Sequence, residues 1–177
     1  MTSSTASLDL AAYIRDIPDF PQPGINFKDI SPLLKSPEAF RACIDRLVEH
    51  YASLDIDYIV GIESRGFLVG APLAYHMNKG FIPIRKPGKL PYKVERIDYT
   101  LEYGSGSLEI HADALGEGHR ILVVDDLLAT GGTVAATRAL IERLGGNVVA
   151  AGFVVELEFL HGRDRLSGLD IHALLKY

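Results

Sequence analysis

An acidic pair followed by a turn of small residues is the feature of this sequence that most clearly suggests chemistry. The stretch 121–133 reads ILVVDDLLATGGT, an apolar run that ends in Asp125 and Asp126. The turn that follows consists of Ala129, Thr130, Gly131, Gly132 and Thr133. Backbone N–H groups in such a turn, at the start of a helix, favour an anion. The carboxylates would repel that anion, but they suit the hydroxyl donors of a ribose. Together these residues predict a site for a phosphorylated ribose.

Two common nucleotide-binding motifs are absent from this stretch. It contains no Gly-Lys-Ser/Thr of a Walker A loop and no GxGxxG fingerprint, which argues against a nucleoside triphosphatase or a dehydrogenase. The simpler alternative is that the acids end a strand and the Gly-Gly pair makes a turn. The combination of apolar run, acids, threonines and glycines between a predicted strand and a predicted helix favours the binding site.

Two further segments carry positive charge that suits phosphate. Ser64, Arg65 and Gly66 directly follow a predicted strand, and the planar guanidinium of Arg65 fits bidentate phosphate binding, although a surface ion pair is the alternative. In the segment 85–96, five cations and one carboxylate give +4, so the rest of the chain carries −9. A basic segment on an acidic protein suits a small polyanion, with a solvated loop or a weak nucleic-acid patch as the alternative.

Short apolar runs alternate with helical patterns and supply the elements that must position these residues. Strands are predicted over 58–62, 80–84, 121–124 and 148–155, and helices over 37–51, 66–78 and 133–144. The pattern predicts an α/β fold, a mostly parallel open sheet flanked by helices with its ligand at the carboxyl ends of the strands. The less regular segments before Ser36 and after Glu156 are expected to form a small cover over that edge.

Composition limits the class of protein. A chain of 177 residues with 47% hydrophobic and 23% charged residues is typical of one globular domain. The net charge of −5 argues against a nucleic-acid partner, and no stretch is long and apolar enough to predict a membrane partner. A lone cysteine, Cys43, lies on the buried stripe of the first predicted helix. With no secretion signal evident, we expect a cytoplasmic protein.

Five ordered motifs spread over most of the chain resemble the adenine phosphoribosyltransferase family, a branch of the type I phosphoribosyltransferases. Besides ILVVDDLLATGGT they are FPQPGINFKDISPLL at 20–34, GIESRGFLVG at 61–70, IRKPGKLP at 84–91 and LEYGSGSLEI at 101–110. The resemblance implies one domain over 1–177, with a hood of about 1–35, a core of about 36–177 and a mobile catalytic loop of about 94–107. It implies that adenine and phosphoribosyl pyrophosphate give AMP and pyrophosphate, that Mg²⁺ is carried by the substrate rather than by a protein metal site, and that the enzyme is a homodimer.

The resemblance also implies a role for each matching residue. The catalytic group is Glu102, which exchanges a proton with the purine, together with Tyr103 and Arg65. The ribose and phosphate would be bound by Asp125, Asp126, Ala129, Thr130, Gly131, Gly132 and Thr133. The pyrophosphate would be bound by Glu63, Ser64, Arg65, Lys86 and Lys89, with a cis peptide between Glu63 and Ser64. The adenine would be bound by Ile25, Asn26, Phe27, Lys28 and Leu128.

One position bears on the choice of base. Transferases for 6-oxopurines typically have an aspartate before the loop threonine, whereas this chain has Ala129, which favours a 6-aminopurine. Two alternatives stay open at this point. The enzyme could use guanine, xanthine or orotate, or the chain could be a non-catalytic regulator that senses phosphoribosyl pyrophosphate.

Overall fold

The structure, a computed structural model, describes residues 8–100 and 105–177. The chain forms two compact units, Met1–Ala52 and Ser53–Tyr177. The single-domain organisation with a hood over about 1–35 stays a prediction. No helix within the described ranges is long and apolar enough to cross a membrane.

The first unit contains a short antiparallel strand pair and two helices. Its elements are a 3-10 turn at Leu10–Tyr13, β1 (Arg15–Ile17), β2 (Phe27–Asp29), α1 (Ser31–Lys35) and α2 (Pro37–Tyr51). The predicted start of α2 is confirmed: Ser36 Oγ accepts the N–H of Ala39 at 3.2 Å, and Pro37 takes the first helical position. Cys43 is fully buried on this helix, and burial raises the pKa of its thiol to about 12, which makes it an inert core residue.

The second unit is a five-stranded parallel sheet with helices. Its elements are β3 (Tyr58–Ile62), α3 (Arg65–His76), β4 (Gly80–Ile84), β5 (Val94–Thr100), β6 (Ser105–His111), β7 (Arg120–Leu128), α4 (Gly132–Arg143), β8 (Asn147–Glu156) and β9 (Asp170–Lys176). The strand order is β4-β3-β7-β8-β9, and every neighbouring pair is parallel. The central strands are continuous apolar runs because helices cover both faces of such a sheet. The predicted open α/β fold is confirmed.

Two details of the sheet differ from the sequence-based expectation. β7 does not end at Val124 but continues to Leu128, because β8 is long enough to pair with it as far as Glu156. The two acids therefore lie within the strand. The segment after Glu156 is not a cover: it forms 3-10 turns at Glu158–Leu160 and Gly162–Leu166 and then the edge strand β9.

An antiparallel hairpin of β5 and β6 accompanies the sheet. Its register runs from Val94 opposite His111 to Thr100 opposite Ser105. A main-chain bridge between Arg85 and Glu109 joins the end of β4 to β6. The predicted catalytic loop of about 94–107 falls within this strand pair, which extends to His111. The mobility of the loop stays a prediction.

Candidate active site

A cleft of about 630 Å³ lies at the carboxyl ends of β3, β4 and β7. Its walls include the three residues after β3, a cation after β4 and the two acids of β7. These residues are Glu63, Ser64, Arg65, Lys86, Asp125 and Asp126. The structure thus brings six residues that were singled out from the sequence to one edge of the sheet, where ligands of open parallel sheets bind.

An ion pair joins two of these groups. Arg65 Nε lies 2.5 Å from Asp126 Oδ2, the Asp126 side chain is buried and the Arg65 side chain is about half exposed. Arg65, predicted to bind phosphate, is therefore paired with Asp126, predicted to bind the ribose hydroxyls. A ligand that carries both a phosphate and a diol offers each of them a new partner, because phosphate accepts from the guanidinium and hydroxyls donate to the carboxylate.

The other carboxylate of the pair has an unusual protonation equilibrium. Burial raises the pKa of Asp125 well above the usual range for aspartate, and the neighbouring Asp126 carboxylate raises it further, while the Arg65 cation lowers it. Asp125 Oδ1 accepts the N–H of Asp126 at 2.9 Å, which fixes the orientation of the carboxyl group. Ligand hydroxyls that donate to this group would favour its ionised form.

A cis peptide between Glu63 and Ser64 precedes α3, as the resemblance implied. Gly66, in the first turn of α3, packs closely against β7. A Cβ at Gly66 would lie 2.8 Å from the carbonyl oxygen of Val124 and 3.0 Å from Asp125 Oδ1. A side chain at this position would therefore displace the acidic end of β7, so glycine is what allows the two strand ends to share one cleft.

The turn between β7 and α4 forms a second, smaller cavity of about 150 Å³, lined by Asp125 and residues 127–134. Gly131 occupies the position before α4 with φ +79°, a backbone conformation that favours glycine. Because this capping position carries no side chain, the first N–H groups of α4 have no capping side chain to satisfy them and suit an oxyanion. The predicted phosphate site therefore has both a cavity and donors.

A 3-10 turn that sequence analysis did not single out packs against this phosphate turn. A Cβ on Gly131 would run into the carbonyl oxygen of Gly162, and a Cβ on Gly162 would run into that of Ala129. The Gly162–Leu166 turn therefore fixes the shape of the phosphate turn from behind. The only sequence signal is the glycine itself, since the two turns are about 30 residues apart in sequence.

The residues Arg85–Lys89, hereafter the basic turn, contact the carboxylate of Glu63 through their first two members. Glu63 Oε2 accepts the N–H of Lys86 at 2.9 Å and Arg85 Nε at 3.2 Å, and Oε1 accepts Arg85 Nη2 at 3.4 Å. Partial burial acts to raise the pKa of Glu63, but the bonds from Lys86 and Arg85 outweigh it and hold the pKa below its usual value. Glu63 thus holds the basic turn. Lys86 lines the cleft, and the carbonyl of Lys89 accepts Arg85 Nη1 at 3.1 Å.

The β5–β6 hairpin adds residues to the cleft that lie within the predicted catalytic loop of about 94–107 but were not singled out as site residues. Tyr99, Ser105, Gly106 and Ser107 all line it. The hydroxyl of Tyr99 lies 3.4 Å from Thr133 Oγ1, which links the hairpin to the phosphate turn. Alternation along β5 could have indicated that Tyr99 faces inward, since Ile97 and Tyr99 are its half-buried positions after Val94. The predicted catalytic residues Glu102 and Tyr103 lie outside the described residues.

The predicted adenine-binding residues fall in both units. In the first unit, Ile25 is exposed, and Phe27 on β2 makes an edge-to-face contact with Phe20 at 5.2 Å between ring centroids. Lys28 Nζ lies 2.5 Å from Asp16 Oδ1, so its charge has an acidic partner on β1. Asn26 directly precedes β2. In the second unit, Leu128 is buried at the end of β7 beside the smaller cavity.

Comparison with known proteins agrees with this geometry. Residues 29–168 match the family model described as a phosphoribosyl transferase domain. The chain is 57% identical over 169 residues to the adenine phosphoribosyltransferase of Halothermothrix orenii, covering 96% of this chain and 99% of that enzyme.

Solved structures lead to the same group of enzymes. The crystal structure of adenine phosphoribosyltransferase from Thermoanaerobacter pseudethanolicus superimposes with a TM-score of 0.93 at 52% identity, covering 95% of this chain and 98% of that one. The enzyme from Saccharomyces cerevisiae, solved with an imino-altritol bisphosphate and adenine, superimposes with a TM-score of 0.87 at 42% identity. The match covers 94% of this chain and 96% of that one. The chain therefore belongs to the phosphoribosyltransferase family, and within it to the adenine phosphoribosyltransferases.

Proposed function

We infer that this chain transfers the 5-phosphoribosyl group of phosphoribosyl pyrophosphate to adenine in purine salvage, giving AMP and pyrophosphate. The observation that carries this inference is the high identity to adenine phosphoribosyltransferases over nearly the whole chain. The cleft at the carboxyl ends of β3, β4 and β7 is where we place the reaction.

The pyrophosphate end of the substrate is assigned to the cations of the cleft. Arg65 and Lys86 both line it, as does Ser64. Pyrophosphate is the leaving group, so cations that neutralise the charge developing on it lower the barrier. Lys89 lies three residues after Lys86 in the basic turn, and its charge is proposed to add to the positive electrostatic potential at the pyrophosphate site. Glu63, whose carboxylate holds that turn, supports the cations rather than contacting the anion with its side chain.

The ribose 5-phosphate end is assigned to β7 and the phosphate turn. Asp125 and Asp126 would accept hydrogen bonds from the two ribose hydroxyls, and the N–H groups and hydroxyls of 130–133 would donate to the 5-phosphate, with Ala129 leaving the turn uncrowded. Held at both ends, the sugar presents its C1 atom for displacement. The C1–O bond to pyrophosphate breaks and a bond from C1 to adenine N9 forms, through an oxocarbenium-like state.

A role in adenine binding is proposed for the segment Ile25–Lys28 and, separately, for Leu128. The ring of Phe27 suits stacking on a purine, and main-chain groups of Asn26 suit hydrogen bonds to its edge. Adenine must lose the N9 proton as the new bond forms, and Glu102 beside Tyr103 is the proposed acceptor. Ala129 in place of an aspartate favours a 6-aminopurine over a 6-oxopurine.

Magnesium is proposed to accompany the substrate. The cleft is lined by the carboxylates of Glu63, Asp125 and Asp126, which are hard oxygen donors, but the described residues contain no group of three or more His, Cys, Asp or Glu side chains that could hold a metal ion. This donor set fits a cation that is held mainly by substrate phosphates and water. When bound, Mg²⁺ neutralises part of the charge on the diphosphate.

A homodimer and a cytoplasmic location complete the proposal. Leu68 and Tyr75 lie two turns apart on α3 and are 49% and 84% exposed, which leaves an apolar stripe that a second copy could cover. Light scattering tests this part: a monomer at micromolar concentration would overturn it. The proposed location rests on the single cysteine, which cannot form a disulfide within the chain.

A base panel tests the proposed function. Purified protein is given phosphoribosyl pyrophosphate, Mg²⁺ and, in separate reactions, adenine, guanine, hypoxanthine, xanthine or orotate, with nucleotide formation followed by absorbance. We expect turnover of adenine at a kcat/KM far above that for the other bases. Turnover of another base without adenine would support a different transferase, and binding of phosphoribosyl pyrophosphate without any turnover would support a regulator.

A further inference from the structure

A buried carboxylate outside the cleft holds the basic turn. Glu109, on β6, is only 7% exposed. Its Oε2 accepts the N–H of Gly88 at 2.9 Å. Its main chain exchanges two hydrogen bonds with Arg85, one at 2.9 Å and one at 2.8 Å. Glu109 is therefore hydrogen-bonded to the basic turn at two places, at its first residue, Arg85, and at its tip, Gly88.

The basic turn depends on such external contacts for its shape. Among the described residues, no main-chain hydrogen bond closes the turn on itself. Its tip is Pro87 followed by Gly88 with φ +74°, and glycine samples many conformations unless something fixes it. Pro87 has no N–H, and the N–H groups on its two sides are held by two carboxylates, Lys86 by Glu63 and Gly88 by Glu109.

We propose that Glu109 is a positioning residue for the transfer reaction: it fixes the basic turn in the shape that directs Lys86 into the cleft, and so sets the affinity for the pyrophosphate end of the substrate. This inference rests on the proposed function of the cleft. Lys86 lines the cleft while Glu109 does not, so Glu109 acts through the turn and not by contact with the ligand.

The sign of the expected effect separates positioning from simple charge. A carboxylate close to an anion site repels the anion, so its removal should tighten pyrophosphate binding if charge alone mattered. If Glu109 positions the turn, its removal frees Gly88, lets Lys86 leave the cleft and weakens pyrophosphate binding. The two explanations predict opposite changes.

The experiment measures binding of Mg²⁺-pyrophosphate and of AMP by isothermal titration calorimetry in four proteins. They are the wild type, Glu109→Ala, Glu109→Gln and the control Glu95→Ala, which removes an exposed carboxylate from the neighbouring strand β5. We expect Glu109→Ala to weaken pyrophosphate binding about tenfold, as loss of one charge-assisted hydrogen bond would. Glu109→Gln should weaken pyrophosphate binding only about threefold, because the amide oxygen of glutamine can still accept the N–H of Gly88.

The affinity for AMP shows whether a variant has lost its general structure, because misfolding would weaken AMP binding as well as pyrophosphate binding. The 5-phosphate is assigned to the 129–133 turn, so AMP binding should stay at its wild-type value in all variants. Unchanged or tighter pyrophosphate binding in Glu109→Ala overturns the proposal, as does an equal loss for AMP and pyrophosphate. If circular dichroism shows that Glu109→Ala does not fold, Glu109→Gln decides by the same criterion. Wild-type adenine turnover is measured separately, and its absence would refute the proposed function while leaving the Glu109 comparison valid.

Discussion

Replacing Asp125 by asparagine is expected to stabilise the fold while weakening substrate binding. Asp125 is half-buried beside a second carboxylate, and this environment raises its pKa well above the usual range. Asparagine keeps the oxygen that accepts the N–H of Asp126 at 2.9 Å, and it removes the charge. The substitution therefore relieves the repulsion and the desolvation without losing the local hydrogen bond.

The size and pH dependence of the gain follow from the raised pKa. Each pKa unit by which the folded value exceeds the unfolded one costs the wild type about 1.4 kcal/mol at a pH above both values. We therefore expect Asp125→Asn to raise the free energy of unfolding and the Tm at pH 8, and a chain of this length gains about 2–4 °C in Tm per kcal/mol. Well below the usual aspartate pKa of about 3.9 both states of the wild type are protonated, so the gain should vanish there. It should grow as the pH rises from that value to the raised folded pKa and stay constant above it.

Thermal unfolding at about pH 8 and at about pH 3, followed by circular dichroism, measures this gain in the Tm. Asp113→Asn is the matched control, since it makes the same change in charge at an exposed position. Binding of phosphoribosyl pyrophosphate should weaken in Asp125→Asn, because an amide has one acceptor oxygen where the carboxylate has two. A Tm that is unchanged or lower at pH 8, or raised equally at both pH values, would refute the reasoning.

Three further predictions concern other parts of the chain. Gly131→Ala places a Cβ against Gly162 at a position with positive φ, so the phosphate turn should change its shape. Calorimetry should show AMP binding weakened at least about tenfold, and a wild-type affinity would contradict the assignment of the 5-phosphate to this turn. Arg163→Ala removes the hydrogen bonds at 2.6 and 2.7 Å that compensate the buried carboxylate of Glu156. Urea unfolding at pH 7 should show that the free energy of unfolding falls by about 1–3 kcal/mol. This is less than the usual cost of breaking a buried ion pair, because Arg163 is 39% exposed. Arg163 lowers the pKa of Glu156, so the part of this loss that comes from the ion pair should be present above about pH 4.3 and fall as the pH drops through the folded pKa. The part that comes from the bond of Arg163 Nη1 to the carbonyl of Ile171 should remain, and a total loss as large at about pH 3 as at about pH 7 would argue against the pairing. Cys43 should not react with Ellman's reagent at pH 8 until the protein unfolds, and rapid reaction of the native protein would contradict its burial.

The sheet could be predicted from local patterns because its core strands are unbroken apolar runs. Tyr58–Ile62 and Gly80–Ile84 were predicted with their observed bounds, and α2 was predicted over 37–51 as observed. The edge strand β9 was missed because it is only partly buried, so its apolar pattern is weak. The length of β7 was missed because strand pairing with β8, a long-range contact, outweighs the low strand propensity of two aspartates.

The residue types of the cleft were predictable, but their partners were not. The order of motifs along the chain placed Arg65, Lys86 and Asp126 at strand ends, and parallel strands bring such ends to one edge. That Arg65 pairs with Asp126, and that Glu109 holds Gly88, depends on side-chain geometry between segments distant in sequence. No periodicity or motif within a single segment encodes such contacts.

The most direct test of the transfer reaction is to quantify both products in one incubation. Purified protein is mixed with adenine, phosphoribosyl pyrophosphate and Mg²⁺, and AMP and pyrophosphate are measured against the adenine consumed. We expect one AMP and one pyrophosphate for each adenine, with the reverse reaction when AMP and pyrophosphate are supplied. Pyrophosphate release without consumption of adenine, or no AMP at any enzyme concentration, would contradict the assignment.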